Sequence, residues 1–576
     1  MSNGQAEPGD PPAGAPGADA FIDAVLEGED PLQLVVAGPG AGKTHLFEVV
    51  LTSRGGQNLA VTFINGLVRD LEKRLGGLAS VNTFHGYAKQ LLHHLDVEGL
   101  THHFNYLPES ADFLHEDAGW LMGTDLDAKT VEKAFHLMQD DAPVAANYLR
   151  AASYYDVVSH NDAVYRLVKH LDDHADDIPA KTQIVVDEIQ DFNELEMSLI
   201  RHLATKSRIL AAGDDDQALY AFKHATPQYI RELGSNQYTV YELPYCFRCP
   251  HVIIHAVHDV IAQAKKRKLL TGRMHKKYWV HPAKNADSQA HPKVRSVLCS
   301  VDKGSTPYPA RYILKEVQAI PAADIAQAWE DGYPSVMVIG PKNFLNRVYA
   351  TLHQHYKANV RWKEPQDPFD YLIEGYQLIA KDPHSRLGWR LVTLADPPPD
   401  LRTTVLTALN EDKELDGLLD QAYVTKHRSH VSTVRKMMND EAVAEADVTA
   451  LQEQAGLGDQ DLPAALGLIP KPPSPEADKT LPEIVLTSFT SAKGLSADYV
   501  FVVGMLNGQF PQKPNAITDT EVCEYIVALT RTRKQCHLIA SNRYADDWAE
   551  PSIFFSFIKQ SRFEFVEIDK NSNLPT

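Results

Sequence analysis

The sequence predicts an α/β chain with parallel sheets, and three stretches carry that prediction. Each is a short apolar run that reads as a buried strand, ends in a polar loop, and leads into a helix-like or turn-rich segment. They are "LVVAGPGAGKTHLFEVVL" (residues 34–51), "QIVVDEIQDFNELEMSLIRHLA" (183–204) and "RILAAGDDDQALYAFKHA" (208–225).

The first stretch handles phosphate. Leu34 to Val36 reads as a strand and Ala37 to Thr44 as the loop. Gly38, Gly40 and Gly42, with Ala41 between them, let backbone N–H groups turn toward an anion. A helix opening at Lys43 adds the positive end of its dipole. Lys43 has the reach for β- and γ-phosphates, and the Thr44 hydroxyl is a ligand for Mg²⁺.

The second stretch supplies the acid such a loop needs. Asp187 follows an apolar strand and is expected to bind Mg²⁺, while Glu188 is placed to orient or deprotonate an attacking water. Asn193 with Glu196 three residues on is a capping-box variant. Leu195, Leu199 and Leu203 then mark one face of a helix. In the third stretch, Gln217 has an amide that can sense a γ-phosphate. Tyr220 and Phe222 beyond it can stack on nucleobases or pack in a core.

Composition bounds the rest. No apolar run in the 576 residues approaches a membrane span, so no membrane partner is expected. Five cysteines do not make a disulfide framework and point to a reducing cytoplasm. The Pro/Gly/Ala-rich residues 1–20 read as a disordered tail. A net charge of −20 argues against coating nucleic acid by bulk charge, but "KKRKLLTGRMHKK" (265–277) is a local basic run that can touch phosphates or face solvent. The CxxC of Cys246 and Cys249 has no second pair and reads as structural. His93, His94, His102 and His103 read as ordinary solvent or core histidines, not metal ligands.

An ordered series of motifs then resembles the superfamily 1A helicases of the UvrD/Rep/PcrA type. "AGPGAGKT" is similar to motif I, "LAVTFINGLV" (59–68) to motif Ia, and "TFHGYA" (83–88) to the next DNA-contacting motif. "VVDEIQDFN" is similar to motif II, "AGDDDQALYAFKHA" to motif III, and "LPYCFRCP" (243–250) to motif IV. "LTSFTSAKGLSADYVFVVGM" (486–505) is similar to motif V, and "EYIVALTRTRK" (524–534) to motif VI.

The resemblance implies two RecA-like domains with ATP and Mg²⁺ between them and single-stranded or tailed duplex DNA across their top. It implies that Lys43, Thr44, Asp187, Glu188 and Gln217 form one side of the ATP site, and that Arg248 and Arg531 reach the γ-phosphate from the other. It implies DNA contacts at Phe63, Asn65, Thr83, His85, Tyr220, Phe222 and Thr490. There are departures. Phe21 stands where the family has an adenine-reading Gln, which leaves adenine selectivity open. Lys223 replaces an Arg and loses its planar fork, and Thr490 and Ser496 replace a His and a Glu.

The expected organisation is a first RecA-like domain over 21–90 and 180–240, with a helical insertion over 91–179. A second RecA-like domain over 241–380 and 481–576 carries a reduced insertion and Pro-rich linker over 381–480. Asn343 is expected to cap a helix after the strand "VMVI". The expected activity is ATP-dependent 3′→5′ translocation on and unwinding of DNA, in repair or recombination. Two alternatives are a helicase-like subunit of a larger assembly with a nuclease or repair partner, as in phage defence, and a nucleotide-gated binding protein.

Overall fold

A computed structural model describes residues 7–62, 65–139, 143–300, 308–362, 370–457, 462–469, 476–544 and 547–575. Two all-parallel sheets organise it, as the sequence predicts. The first holds β1 Leu32–Ala37, β2 Asn58–Thr62, β3 Ser80–Thr83, β4 Gln183–Val186, β5 Arg208–Gly213 and β6 Thr239–Leu243, in the order β3-β2-β4-β5-β1-β6. β2 and β4 are buried along their whole length and β1 and β5 in all but their first residue, which is why they read as continuous apolar runs and not as alternating ones. Val35 lies opposite Ala212 on one side and Tyr241 on the other. The loops that follow β1, β4 and β5 therefore open side by side, at the carboxyl ends where α/β sheets bind ligands.

The second sheet holds β7 Val294–Cys299, β8 Val336–Ile339, β9 Val360–Trp362, β10 Ile484–Thr487, β11 Ala497–Val502, β12 Thr532–Ser541 and β13 Phe563–Ile568, in the order β9-β10-β8-β11-β12-β7-β13. Helices His251–Lys266 and Asp519–Thr530 cover one face, and helices Tyr308–Gln318 and Lys342–Tyr356 the other. The last of these starts at Lys342 with Pro341 at its N-cap, so Asn343 sits inside the first turn and is not the cap. Pro341 has the fixed φ that suits a helix start.

Both insertions are helical, and they pack on each other. Helix Ala111–Met122 of the first meets helix Arg386–Ala395 of the second through Arg390. That guanidinium is fully buried, lies 2.7 Å from Asp117 and 3.0 Å from Glu116, and stacks over Phe113 and Trp120. Arg150 donates to Leu409 O and Tyr154 to Lys413 O. One apolar core runs from the first sheet (Leu34, Val36) through the first insertion (Phe113, Tyr155) into the second (Trp389, Leu391). Helix Tyr371–Lys381 belongs to this core, so the second insertion's packing starts about ten residues before the expected 381. The expected division at 240/241 falls inside β6.

The N-terminal segment departs from the expectation of disorder. Residues 7–17 run across the second lobe: Glu7 pairs with Arg562 and His255, Asp10 lies between His251 and His255, and Val280 N donates to Gly9 O. Its charged side chains found partners that a Pro/Gly-rich composition does not reveal.

Candidate active site

The phosphate loop joins β1 to helix Lys43–Arg54. Gly42 is the N-cap in the left-handed region (φ 87°), and Gly40 is also left-handed (φ 70°). A Cβ on Gly40 would come within 2.6 Å of Arg248 Cβ, so glycine there lets motif IV close onto the loop. Phe247 N donates to Gly40 O (2.9 Å) and Tyr278 OH to Pro39 O (2.9 Å), which ties the loop to the segment leading into the second lobe. Gly38 and Ala41 complete the turn, and Thr44 follows Lys43 in the first helical turn.

Lys43 Nζ lies 3.0 Å from Glu188 and 3.6 Å from Asp187. Burial pushes the Asp187 carboxyl up to about 6 against the pull of Lys43. Burial opposes ionisation of Glu188 too, but Lys43 and Lys493 outweigh it and hold the carboxyl below its ordinary range. Glu188 has φ 58°, a left-handed conformation that is strained for a residue with a Cβ. Gln190 supports it: its amide donates to Glu188 (2.6 Å), and its carbonyl accepts from Asp214 N (3.0 Å). The Asn193 cap forms in both directions with Glu196 and starts helix Glu194–Ala204.

The second lobe brings its own cations. Arg531 donates to Gln217 Oε1 (3.2 Å), while the Gln217 amide donates to Asp214 (2.8 Å), so Gln217 links the lobes. Arg248 donates to Thr530 O (3.3 Å), next to Arg531. Burial and the neighbouring Arg248 lower the Arg531 pKa. Lys493 enters from motif V, where the sequence drew attention to Thr490 and Ser496 instead. It is buried, pairs with Asp191, lies 3.4 Å from Glu188 and donates to Gln217 O (2.9 Å). The signal was a Lys beside Gly494 in a motif aimed at the cleft.

The buried Asp187 carboxylate and the Thr44 hydroxyl, which follows Lys43 in the first helical turn, are hard-oxygen donors of the kind Mg²⁺ takes, and among the described residues Asp187 has no cation closer than Lys43. The residues fit the ion.

The expected DNA contacts are placed unequally. Phe222 is 65% exposed; Tyr220 is buried beneath it, rings 5.7 Å apart, with Lys493 and Lys223 over its face. Of these two rings, Phe222 is the one with an exposed face. Thr83 Oγ1 accepts from Gly86 N and caps helix Phe84–Leu92. His85 packs on His160 (4.5 Å), and burial drives its pKa well down. Thr490 lines a cleft of about 500 Å³ in the second lobe with Phe489, Phe510 and Lys342. Phe63 lies outside the described residues, and Asn65 starts helix Asn65–Leu75 with its side chain outside them.

The basic run 265–277 divides. Arg273 and Lys276 turn inward onto Asp214, Asp215 and Asp216, with Arg231 on Asp215. Lys265, Lys266, Arg267, Lys268 and Lys277 are exposed. The three aspartates are the one group of metal-ligand type among the described residues, and these cations already neutralise it. His93 stacks on Phe104 and His102 pairs with Asp96. Phe21 packs edge-on against Tyr245.

Comparison with known proteins agrees with the motifs. Residues 22–223 match a family model described as an AAA domain. The chain is 26% identical over 337 residues to ATP-dependent DNA helicase UvrD1 of Mycobacterium tuberculosis, covering 47% of this chain and 42% of that protein. It is 24% identical over 639 aligned residues to ATP-dependent DNA helicase PcrA of Leuconostoc citreum, covering 90% of this chain and 80% of that one. With DNA helicase II of Escherichia coli (strain K12) it shares 26% over 244 residues, 34% of this chain and 33% of the other. The chain thus spans less than half the length of most of these relatives. It is similar to the UvrD/PcrA type of helicase.

Proposed function

We propose that the chain is an ATP-driven motor that tracks along single-stranded DNA in the 3′→5′ direction and opens duplex ahead of it, in repair or recombination. The observation that supports this most is the contact set across the cleft. Glu188 and Gln217 of one lobe meet Lys493 and Arg531 of the other. Hydrolysis by such a site depends on lobe closure, and a motor needs that dependence. The direction and the repair setting follow from the family resemblance alone.

In this reading the loop amides and Lys43 hold the phosphates, and Thr44 and Asp187 hold Mg²⁺, which neutralises charge on the phosphate oxygens. Glu188, kept ionised by Lys43 and Lys493, accepts a proton from the attacking water. Gln217 orients that water and carries the state of the cleft to Arg531. Arg531 and Arg248 stabilise charge that develops in the transition state. Tyr220, directly beyond Gln217, supports Phe222, so the base-stacking ring sits five residues from the γ-phosphate sensor.

ATP hydrolysis by the pure chain, with and without single-stranded DNA, tests this beside Glu188→Gln. Strong DNA stimulation that the variant loses is expected. DNA-independent or negligible turnover sinks the motor. A second reading, a helicase-like subunit of a larger assembly, is favoured by the fixation of the second insertion on the first through Arg390. Unwinding of 3′-tailed duplex by the chain alone would exclude it.

A further inference from the structure

We propose that Cys246 and Cys249 are a site of reversible oxidation by a peroxide, and that the disulfide they form withdraws Arg248 from the nucleotide cleft. The effect on turnover rests on the function proposed above; the sulfur chemistry does not.

Cys246 ends the short strand Tyr245–Cys246, and Cys249 stands just ahead of the 16-residue helix His251–Lys266. The turn between them points Cys249 N–H at Cys246 Sγ (3.3 Å), while the Cys249 thiol donates to Thr530 O (3.5 Å). A turn that lays the N–H of one cysteine on the sulfur of the other, with two residues between them, brings the two side chains together so that they can join with little backbone movement. The surroundings favour a thiolate. Cys246 Sγ sits near the start of a helix, beside the Tyr278 hydroxyl, with the guanidiniums of Arg248 and Arg531 near the pair. Burial opposes this, yet the donors bring the Cys246 thiol down to about 6.

The two residues between the sulfurs tie the pair to the cleft. Phe247 N holds Gly40 O of the phosphate loop. Arg248 shares the carbonyl of Thr530 with Cys249, whose sulfur lies 3.5 Å from it. A Cβ on Gly40 would stand 3.2 Å from Cys246 Sγ, so the phosphate loop roofs this sulfur. Opening of the cleft uncovers it, and bound nucleotide shields it.

The steps balance. The Cys246 thiolate attacks one oxygen of hydrogen peroxide; an S–O bond forms, the O–O bond breaks, and hydroxide leaves. The Cys249 sulfur, giving its proton to that hydroxide, attacks Cys246; an S–S bond forms, the S–O bond breaks, and the second hydroxide leaves as water on taking a proton from solvent. Overall, two thiols and one peroxide give a disulfide and two waters. The bond pulls Cys249 off Thr530 O and shortens the turn that carries Arg248.

The test treats the reduced full chain with hydrogen peroxide, with and without a non-hydrolysable ATP analogue. A disulfide between 246 and 249 is mapped by peptide mass spectrometry and ATP turnover is read in parallel. The expected result is a disulfide that forms several-fold faster without the analogue, a loss of turnover of about tenfold or more, and recovery on adding dithiothreitol. Cys299, Cys523 and Cys536, all buried, serve as internal controls. Cys249→Ser is expected to leave a dimedone-reactive sulfenic acid on Cys246. If that variant does not fold, shielding by nucleotide in the unaltered chain still decides. The proposal is overturned if both thiols stay reduced while the control cysteines oxidise, or if the disulfide forms and turnover is unchanged. A reduced chain with no turnover would sink the motor instead, and the disulfide and its shielding would still be read.

Discussion

Between the two lobes, a row of buried charges meets beside a small apolar contact, Leu219 and Tyr220 against the second lobe's core. Between the two insertions, contact is made by extensive apolar packing around Arg390 and its two carboxylates. Across the cleft, Lys493 meets Asp191 and Glu188, and Arg531 meets Gln217; each is a contact that a phosphate or a shift of the lobe can replace. Between the insertions, Trp389, Leu391, Phe113 and Tyr155 bury around Arg390 and Asp117, and nothing comparable is available to replace them. The first seam is built to exchange partners and the second to keep them. This packing predicts that the second lobe's insertion stays with the first lobe when the rest of the second lobe shifts.

Six variants break or sharpen that contrast. The largest effect is expected from Arg531→Lys, which keeps the buried charge and loses the planar fork on Gln217: about 10³-fold or more in turnover, with a much smaller effect on the thermal midpoint; a large fall in the midpoint would mean that the charged seam is structural. Next, Arg390→Ala leaves Asp117 buried without its cation and should cost about 3–5 kcal/mol in chemical denaturation. The pair Arg390→Leu with Asp117→Leu should recover most of that, and failure to recover would make the ion pair itself the glue. Phe222→Ala should weaken single-stranded DNA binding by about 1–3 kcal/mol, read by fluorescence anisotropy, whereas Tyr220→Phe should leave it within twofold or so. The smallest effect belongs to Asn193→Ala, which touches neither seam and should cost about 1 kcal/mol through the lost cap. It calibrates how much of any change is plain destabilisation.

What could be read in advance was what lies close along the chain. The phosphate loop, the strands ending at Asp187 and Gly213, and the Asn193–Glu196 cap are all local patterns, and the structure shows each. What escaped is assembled from a distance. Lys493 reaches Asp191 across 302 residues, and no spacing rule connects them. Arg390 looks like an exposed helix charge until Asp117, 273 residues away, arrives beside it. Tyr220 and Phe222 are equivalent in sequence, yet one is buried and the other exposed, because only the second lobe decides which ring it covers. Residues 7–17 have the composition of a loose tail, and their two acids are held by His251, His255 and Arg562.

That N-terminal segment is also a leash. Asp10 is anchored on the second lobe, and helix Ala18–Glu27 lies beside β6 of the first. Seven residues, and so eight Cα steps, separate the anchors, and a fully drawn chain covers no more than about 3.6 Å per step. The lobes can part at that edge by at most the slack remaining in a line of roughly 29 Å before the grip on His255 has to let go. The range of each stroke would then be set by the length of a segment that touches none of the catalytic side chains.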